Sequence, residues 1–216
     1  MSTNGREKKL YPLVERYIRR RFECFVSGQN RGTRHGRVDV IGIRDIGGYL
    51  NGSFELIGVE VKAGYQPFNI AAGQASGYSV YANRCYLADV RSGPRFFDLE
   101  EIDIAGALRI GLLAVTGSKV VQVLAAPPSV PLARLQLELV EKLGYSACSL
   151  CGSLFRRSTG RNFTENVSSA GLGKAAEREK GAIFWLFEHA KGRRDPRSYV
   201  YHRRYLCADC VRTLHS

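Results

Sequence analysis

The stretch Phe54-Glu-Leu-Ile-Gly-Val-Glu-Val-Lys62 places charged residues inside a run that is otherwise apolar and rich in β-branched side chains. Such a run predicts a β-strand. Because positions i and i+2 of a strand point to the same face, Glu60 and Lys62 share one face and Val59 and Val61 the other. A carboxylate and an ammonium buried side by side are costly unless another group compensates them. The stretch therefore predicts a strand that carries a polar site.

A second predicted strand, Val38-Asp-Val-Ile-Gly-Ile43, carries one carboxylate between two valines. A divalent cation held by Asp39 of this strand and Glu60 of the first would compensate the buried charges. Hard cations such as Mg²⁺ take oxygen ligands, usually one or two carboxylates together with water and substrate phosphate. The two strands together therefore predict a site for Mg²⁺ or Mn²⁺.

The sequence on either side of these strands alternates between helical and strand patterns. Apolar residues recur at helical spacing from Leu10 to Phe25. A loop is then indicated by Gly28, Asn30, Gly32 and Gly36. After Lys62 we predict a helix over residues 71–82, a strand over 84–90, a helix over 99–108, and strands over 111–115 and 120–124. This order predicts the α/β class, with a mixed central sheet flanked by helices.

A proline-rich stretch, Ala126-Pro-Pro-Ser-Val-Pro131, indicates a stiff linker and a domain boundary. We therefore predict a core domain over residues 1–127 and a smaller domain over residues 128–216. The second would contain helices over residues 132–143 and 174–190. A polar stretch rich in Gly and Ser, residues 156–173, predicts a loop between them.

Two Cys-x-x-Cys pairs occur in the second domain, Cys148-Ser-Leu-Cys151 and Cys207-Ala-Asp-Cys210. Each pair can direct two sulfurs at one cation, and the two pairs complete a tetrahedral Zn²⁺ site. The alternative is a redox dithiol or inert core thiols, but the ligand number favours zinc. With four protein ligands the zinc would be structural, so we predict a zinc-stabilised helical domain. The apolar surroundings of Cys24 and Cys85 predict core residues.

Basic residues strongly outnumber acidic ones: 32 Lys and Arg against 20 Asp and Glu give a net charge of +12. Such a field most simply attracts nucleic acid, although an anionic membrane or an acidic partner would respond to it as well. The candidate nucleic-acid contacts are Arg34, Arg37, Arg193, Arg194, Arg203 and Arg204. The last four alternate with tyrosines, which suits phosphate contacts and base stacking. A solvated basic hairpin with its tyrosines packed inward explains that segment equally well.

The amino terminus, Met1-Ser-Thr-Asn-Gly-Arg-Glu-Lys-Lys, is polar and lacks the apolar region of a signal peptide. The apolar segments are too short to span a bilayer. These features predict a cytoplasmic, nucleoid-associated protein with DNA as its partner. The sequence leaves open whether it acts as a homodimer or as a subunit of a nuclease complex.

The order of these motifs resembles the PD-(D/E)XK nuclease superfamily, in its restriction-endonuclease-like and resolvase-like branches. The resemblance covers roughly residues 8–126. Its pieces are a first helix with Glu15, then Asp39, then Glu60-Val61-Lys62, then Gln74-Ala-Ser-Gly-Tyr78 in the following helix. The proline that gives the motif its name is replaced by Val38, as in many members.

The resemblance implies a restriction-endonuclease-like fold and a Mg²⁺-dependent endodeoxyribonuclease. Asp39, Glu60 and the carbonyl oxygen of Val61 would bind the metal. Lys62 would orient or deprotonate the attacking water and stabilise charge on the phosphate. The remaining catalytic candidates are Glu15, which would reach the site directly or through water, and Gln74, which would hold Lys62 or a phosphate oxygen.

Each of these signals also has an ordinary structural explanation when it is taken singly. A solvent-facing edge strand often alternates as Val-Glu-Val-Lys does, Asp39 can cap a turn, and Glu15 can pair with Arg19 one helical turn later. The joint match in the expected order favours a nuclease. The alternative function is a non-catalytic nucleic-acid-binding or interaction protein on the same fold.

Overall fold

The computed structural model describes residues 3–33, 36–47, 53–93, 95–148, 151–156, 161–162, 205–207 and 209–210. It confirms the α/β class and a mixed sheet with helices. The chain divides into two compact units, one formed by Met1–Ile46 with Phe54–Leu143 and the other by Gly47–Ser53 with Gly144–Ser216. None of the helices in the described residues combines the length and apolar character that crossing a bilayer requires.

The first unit contains a six-stranded sheet whose strands lie in the same order as they occur in the chain. They are β1 (Val26–Thr33), β2 (Gly36–Asp45), β3 (Phe54–Lys62), β4 (Arg84–Val90), β5 (Gly111–Thr116) and β6 (Lys119–Leu124). The strands β3, β4 and β5 are mutually parallel, and the remaining neighbours are antiparallel. Parallel pairing brings the carboxyl ends of β3 and β4 to one edge of the sheet, beside Lys62.

Five helices accompany the sheet in the described part of this unit. They are α1 (Thr3–Lys8), α2 (Tyr11–Arg21), α3 (Phe68–Gly77), α4 (Leu99–Ala107) and α5 (Ala133–Lys142), and a 3-10 turn, Tyr78–Val80, follows α3. Each predicted helix of this region is present with shifted ends. Helix α4 begins at a capping box. The Glu101 backbone amide donates to the Asp98 carboxylate, and the Asp98 backbone amide donates to the Glu101 carboxylate.

The loop predicted around Gly28 was wrong, because residues Val26–Thr33 form the edge strand β1. Its small and polar residues suggested a loop, yet seven residue pairs align it with β2. Gly28 pairs with Ile41, and a Cβ atom there would lie only 2.8 Å from the Leu143 side chain. The glycine thus allows close packing within a strand, a requirement set by a residue distant in sequence.

The hydrophobic core explains why β3 separates its apolar and polar side chains. Ile57, Val59 and Val61 are fully buried in a cluster that includes Val14 and Ile18 of α2. Because strand side chains alternate, Glu60 and Lys62 point to the opposite face. They are also buried there, with about 5% and 7% of their surface exposed. The predicted polar face of β3 is therefore an interior face.

The first compact unit extends past the proline-rich stretch to Leu143, and the domain boundary after residue 127 stays a prediction. The proline-rich stretch lies against the first unit, where the Ser129 amide donates to the Asn83 carbonyl oxygen at 2.7 Å. Helix α5 buries Leu135 and Leu139. Its Gln136 donates from the side-chain Nε2 to Oδ1 of Asn83 at 2.6 Å. Helix α5 is therefore part of the first compact unit.

The described part of the second unit consists of short strands around the cysteine pairs. Strand β7 (Tyr145–Ala147) pairs with β8 (Leu154–Arg156), and β9 (Arg161–Asn162) pairs with β10 (Tyr205–Leu206), both antiparallel. The helix predicted over residues 174–190 lies outside the described residues, as does most of the loop predicted over 156–173.

Candidate functional site

The strands β2 and β3 stop pairing at the predicted site. Their antiparallel register runs from Asp45 opposite Phe54 to Val40 opposite Val59. The next residue on each strand is a carboxylate, Asp39 on β2 and Glu60 on β3, so the two acidic side chains meet where the ladder ends. There the Val61 amide donates to Oδ2 of Asp39 at 2.9 Å. A side-chain carboxylate thus satisfies a backbone donor at the opening between the strands.

Each remaining oxygen of the two carboxylates also accepts a hydrogen bond. The Tyr11 hydroxyl donates to Oδ1 of Asp39 at 2.6 Å. Lys62 donates from Nζ to Oε1 of Glu60 at 2.5 Å, and the Tyr78 hydroxyl donates to Oε2 of Glu60. Tyr11 comes from the start of α2 and Tyr78 from the turn after α3. Two tyrosines from different elements therefore fix the orientation of the two carboxylates.

A third carboxylate, Glu7 of α1, lies beside Lys62, with Oε1 at 4.0 Å from Nζ. No sequence pattern singles out Glu7, because the short helix Thr3–Lys8 has no apolar periodicity. The cluster formed by Glu7, Asp39, Glu60 and Lys62, here called the carboxylate–lysine cluster, combines three acidic groups with one basic group. Its formal charge is therefore negative in a strongly basic chain.

The electrostatics of the cluster reflect burial and crowding of like charges. Burial raises the pKa of Glu60, the Asp39 charge raises it further, and the contacts with Lys62 and Tyr78 offset only part of this. Burial also raises the pKa of Glu7, against the lowering effect of the Lys62 charge. The same burial raises the pKa of both tyrosines, so they act as neutral hydrogen-bond donors. Additional positive charge at the cluster would relieve this crowding.

Two residues proposed from the sequence make other contacts or stand apart. Glu15 accepts hydrogen bonds from the Ser27 hydroxyl at 2.7 Å and from the Gln29 amide at 2.5 Å, both on β1. Gln74 is exposed on α3, while Tyr78, one helical turn later, contacts Glu60. The structure therefore brings Asp39, Glu60 and Lys62 together as predicted, and adds Glu7, Tyr11 and Tyr78 to them.

A further carboxylate, Asp89, supports the chain where it leaves β3. Asp89 is buried on β4 opposite Lys62 and accepts the Gly64 amide at 2.8 Å through Oδ1. Its Oδ2 accepts from Arg91 at 2.9 Å, and Arg91 also pairs with Glu101 at 2.8 Å. Asp89 thus ties the segment after Lys62 to the neighbouring strand. No local sequence pattern indicates this role, because the contact depends on parallel strand pairing.

The four cysteines of the predicted zinc site lie close together in the second unit and could bind a metal such as zinc. Their sulfur atoms all lie within 4.8 Å of one another. The Sγ atoms of Cys151 and Cys207 are 3.8 Å apart. Two sulfurs that each lie about 2.3 Å from a tetrahedral zinc are separated by about the same distance, roughly 3.8 Å. The Cys207 amide donates to the Cys148 sulfur at 3.4 Å, which would stabilise a thiolate.

The cysteine cluster differs from the other thiols in its surroundings. Burial raises the pKa of the Cys151 thiol, but hydrogen bonds with Ser153 lower this pKa to about 7. In contrast, Cys24 and Cys85 are buried in the first unit, and burial raises the pKa of both thiols to about 12. Their prediction as core residues is confirmed.

Gly152 follows the first pair with a left-handed φ of +77°, which allows its amide to turn back to the Cys148 carbonyl oxygen.

Among the predicted nucleic-acid contacts, Arg37 is described and is exposed on β2, two residues before Asp39. Its carbonyl oxygen lies 2.9 Å from the hydroxyl oxygen of Tyr78, which donates to Glu60, so its backbone borders the carboxylate–lysine cluster. The others, Arg34, Arg193, Arg194, Arg203 and Arg204, lie outside the described residues.

Comparison with known proteins places few constraints on function. No family model matches the chain, and no curated protein matches it. Among solved structures, the chain is similar to the SPO1766 protein of unknown function from Silicibacter pomeroyi, with 23% identity and a TM-score of 0.43. The similarity covers 62% of this chain and 80% of that protein.

Proposed function

We propose that the protein is a metal-dependent DNA endonuclease, with a PD-(D/E)XK-type core and a basic, zinc-stabilised domain that contributes to DNA binding. The observation that carries this proposal is the carboxylate–lysine cluster at the point where β2 and β3 separate. A purely structural cluster would be expected to balance its buried charges, because unpaired buried charge is costly. Here Lys62 pairs with the buried Glu60 and approaches the half-buried Glu7. The half-buried Asp39 adds a third carboxylate, whose charge acts on Glu60.

The residues of the cluster fit a hard divalent cation such as Mg²⁺ or Mn²⁺. A carboxylate oxygen has lone pairs for more than one interaction, and each oxygen of Asp39 and Glu60 accepts one hydrogen bond from within the chain. Asp39 and Glu60 would hold the cation, with the carbonyl oxygen of Val61 as a further ligand. A cation would also relieve the crowding of negative charge that raises the pKa of Glu60.

Lys62 and the two tyrosines that orient the carboxylates have different parts in the proposed hydrolysis. The bound cation supplies polarisation of a phosphoryl oxygen and a lowered pKa for a bound water. Lys62 would orient the attacking water and stabilise negative charge on the phosphate. Tyr11 and Tyr78 would keep Asp39 and Glu60 in position, which matters because catalysis of this kind depends on geometry.

Cleavage assays on plasmid, single-stranded and branched DNA, with Mg²⁺ or Mn²⁺, test the proposal. Wild type should cleave at least one substrate, and Asp39→Asn and Lys62→Met should lower the rate by roughly 100-fold or more. Glu15→Gln is the matched control, because it removes a carboxylate whose hydrogen bonds go to Ser27 and Gln29. Cleavage that survives both substitutions would refute the site.

A second candidate function is DNA binding without cleavage on the same fold. It is favoured by the full set of internal hydrogen bonds on Asp39 and Glu60, which satisfies both carboxylates without a cation. If wild type binds DNA but cleaves none of the substrates with either metal, this second function replaces the first.

The zinc-stabilised domain is tested separately by metal analysis. The purified chain should contain about one zinc ion, and Cys148→Ser should lower that content and destabilise the second unit. Cys24→Ser is the control, because Cys24 is buried away from the other thiols in the first unit. An equal zinc content in wild type and Cys148→Ser would exclude the cysteine cluster as the zinc site.

A further inference from the structure

An exposed arginine–tyrosine pair joins α1 to the segment that follows β3. Arg6 donates from its guanidinium to the Tyr65 hydroxyl at 2.7 Å, and its guanidinium carbon lies 5.3 Å from the centre of the tyrosine ring. Tyr65 nevertheless remains 65% exposed. A single exposed ring is ordinary on a protein surface, so the interest of this pair lies in its position along the chain.

The pair comes from the same two parts of the chain as two residues of the carboxylate–lysine cluster. Arg6 immediately precedes Glu7, and Tyr65 lies three residues after Lys62. Glu7 and Lys62 themselves approach to 4.0 Å. The two elements that bring these cluster residues together therefore also carry the exposed pair.

The segment that presents Tyr65 is firmly anchored. Gly64 has a left-handed φ of +79°, and its amide donates to the buried Asp89 carboxylate at 2.8 Å. A Cβ atom at Gly64 would lie 3.0 Å from the Val90 carbonyl oxygen, so the segment packs closely on β4. A ring held in this way loses little conformational freedom when a ligand stacks on it, which favours binding.

We propose that Arg6 and Tyr65 bind an unpaired nucleotide of the nucleic-acid substrate beside the carboxylate–lysine cluster. The tyrosine ring stacks on the base, and the arginine contacts a neighbouring phosphate. Aromatic stacking on bases and arginine contacts to phosphate are the usual means of binding single strands. Bases inside a duplex are already stacked on each other, so the pair selects DNA with single-stranded or branched segments. This inference rests on the proposed function and specifies its substrate class.

Binding measurements on the zinc-loaded chain of 216 residues test this proposal. They are made without added Mg²⁺, so that the result does not depend on cleavage. The probes are a single-stranded oligonucleotide containing 2-aminopurine and the corresponding duplex. Tyr65→Ala should weaken single-strand binding roughly tenfold and duplex binding less than about twofold. The fluorescence of 2-aminopurine should be quenched by wild type and restored in Tyr65→Ala.

Conservative and remote variants separate stacking from a structural role. Tyr65→Phe keeps the ring and loses the bond from Arg6, so it should bind within about twofold of wild type. Arg6→Gln should weaken binding and reduce the salt dependence by about one phosphate contact. Phe25→Ala is the control, because Phe25 is exposed in the same unit but lies between α2 and β1. Melting temperatures verify that each variant is folded.

Several results would overturn the inference. If Tyr65→Ala weakens single-strand and duplex binding equally, or if Tyr65→Phe is as damaging as Tyr65→Ala, the pair only joins α1 to the following segment. The two proposals can fail separately. Cleavage by wild type with unchanged single-strand binding in Tyr65→Ala refutes this inference alone. Selective binding through Tyr65 without cleavage refutes the nuclease alone, and absence of DNA binding refutes both.

Discussion

The two ends of strand β3 carry buried carboxylates in opposite electrostatic settings. At one end, Glu55 accepts hydrogen bonds from two guanidinium groups, those of Arg44 at 2.5 Å and Arg84 at 2.9 Å. At the other end, Glu60 pairs with the Lys62 ammonium at 2.5 Å, Glu7 also approaches that ammonium, and the Asp39 charge acts on Glu60. The two glutamates are five residues apart, or about 16 Å along the strand.

This difference separates a structural carboxylate from a candidate functional one. Burial by itself raises the pKa of Glu55, but the hydrogen bonds from Arg84 and Arg44 lower it below its ordinary value. Burial and the Asp39 charge act in the same direction on Glu60, so its pKa is raised. At the Glu55 end, two guanidinium groups contact one carboxylate. The Glu60 end has an excess of negative charge and is suited to a cation.

The largest expected effect is on the cleavage rate, which should depend strongly on Glu60 and only weakly on Glu55. Glu60→Gln should lower the cleavage rate by roughly 100-fold or more, because it removes a proposed metal ligand. Glu55→Gln should cleave within a few-fold of wild type at temperatures where both are folded. Equal losses in the two variants would show that the cluster affects activity only through stability.

For the free energy of unfolding, we expect the larger loss from substitution of Glu55 and the smaller loss from substitution of Glu60. Glu55→Gln should lower the free energy of unfolding by roughly 2 kcal/mol, since hydrogen bonds to charged groups are stronger than neutral ones. Glu60→Gln should cost less, because it relieves the repulsion from Asp39 and Glu7. Urea unfolding at pH 7 measures both values. A greater loss in Glu60→Gln would contradict the division between the two ends.

A smaller effect distinguishes the two helical glutamates. Glu7→Gln should lower cleavage between about three- and tenfold, or roughly 1 kcal/mol of barrier, because Glu7 approaches Lys62. Glu15→Gln should leave the rate unchanged, because its partners are Ser27 and Gln29. Steady-state rates with the preferred substrate give the comparison. The opposite ranking would restore Glu15 to the site as the sequence resemblance implies.

The smallest effect is a pH dependence that belongs to the Glu55 end. The pKa of Glu55 is lower in the folded chain than its ordinary value, so its stabilisation is complete above the unfolded-state pKa of about 4.3. It is lost as the pH falls through the folded-state value. The difference in unfolding free energy between wild type and Glu55→Gln should therefore shrink between about pH 5 and pH 3. A constant difference would contradict this account.

Strong local patterns made much of the sheet and part of the cluster predictable. The apolar runs of β2 and β3 fixed the face that Glu60 and Lys62 share, and the Cys-x-x-Cys spacing identified the cysteine cluster. The edge strand β1 was missed because Gly28 and its polar neighbours resemble a loop until β2 pairs with them. Pattern analysis works where the information is local.

The remaining parts of the site depend on contacts between distant residues. Glu7 reaches Lys62 across 55 positions of sequence, and Tyr11 reaches Asp39 across 28. Asp89 was missed for the same reason, since its partner Gly64 lies on the segment leaving a neighbouring parallel strand. Helical spacing could not decide which face of α2 Glu15 would occupy relative to β1.

Manganese binding measured by electron paramagnetic resonance tests the central claim, that the Glu60 end of β3 holds a divalent cation. The zinc-loaded chain is titrated with Mn²⁺, so that the cysteine cluster is already filled. Wild type should bind about one Mn²⁺ per chain, Asp39→Asn and Glu60→Gln should bind it at least about tenfold more weakly, and Glu55→Gln should match wild type. Equal Mn²⁺ binding by all four proteins, or no binding by wild type, would contradict the account.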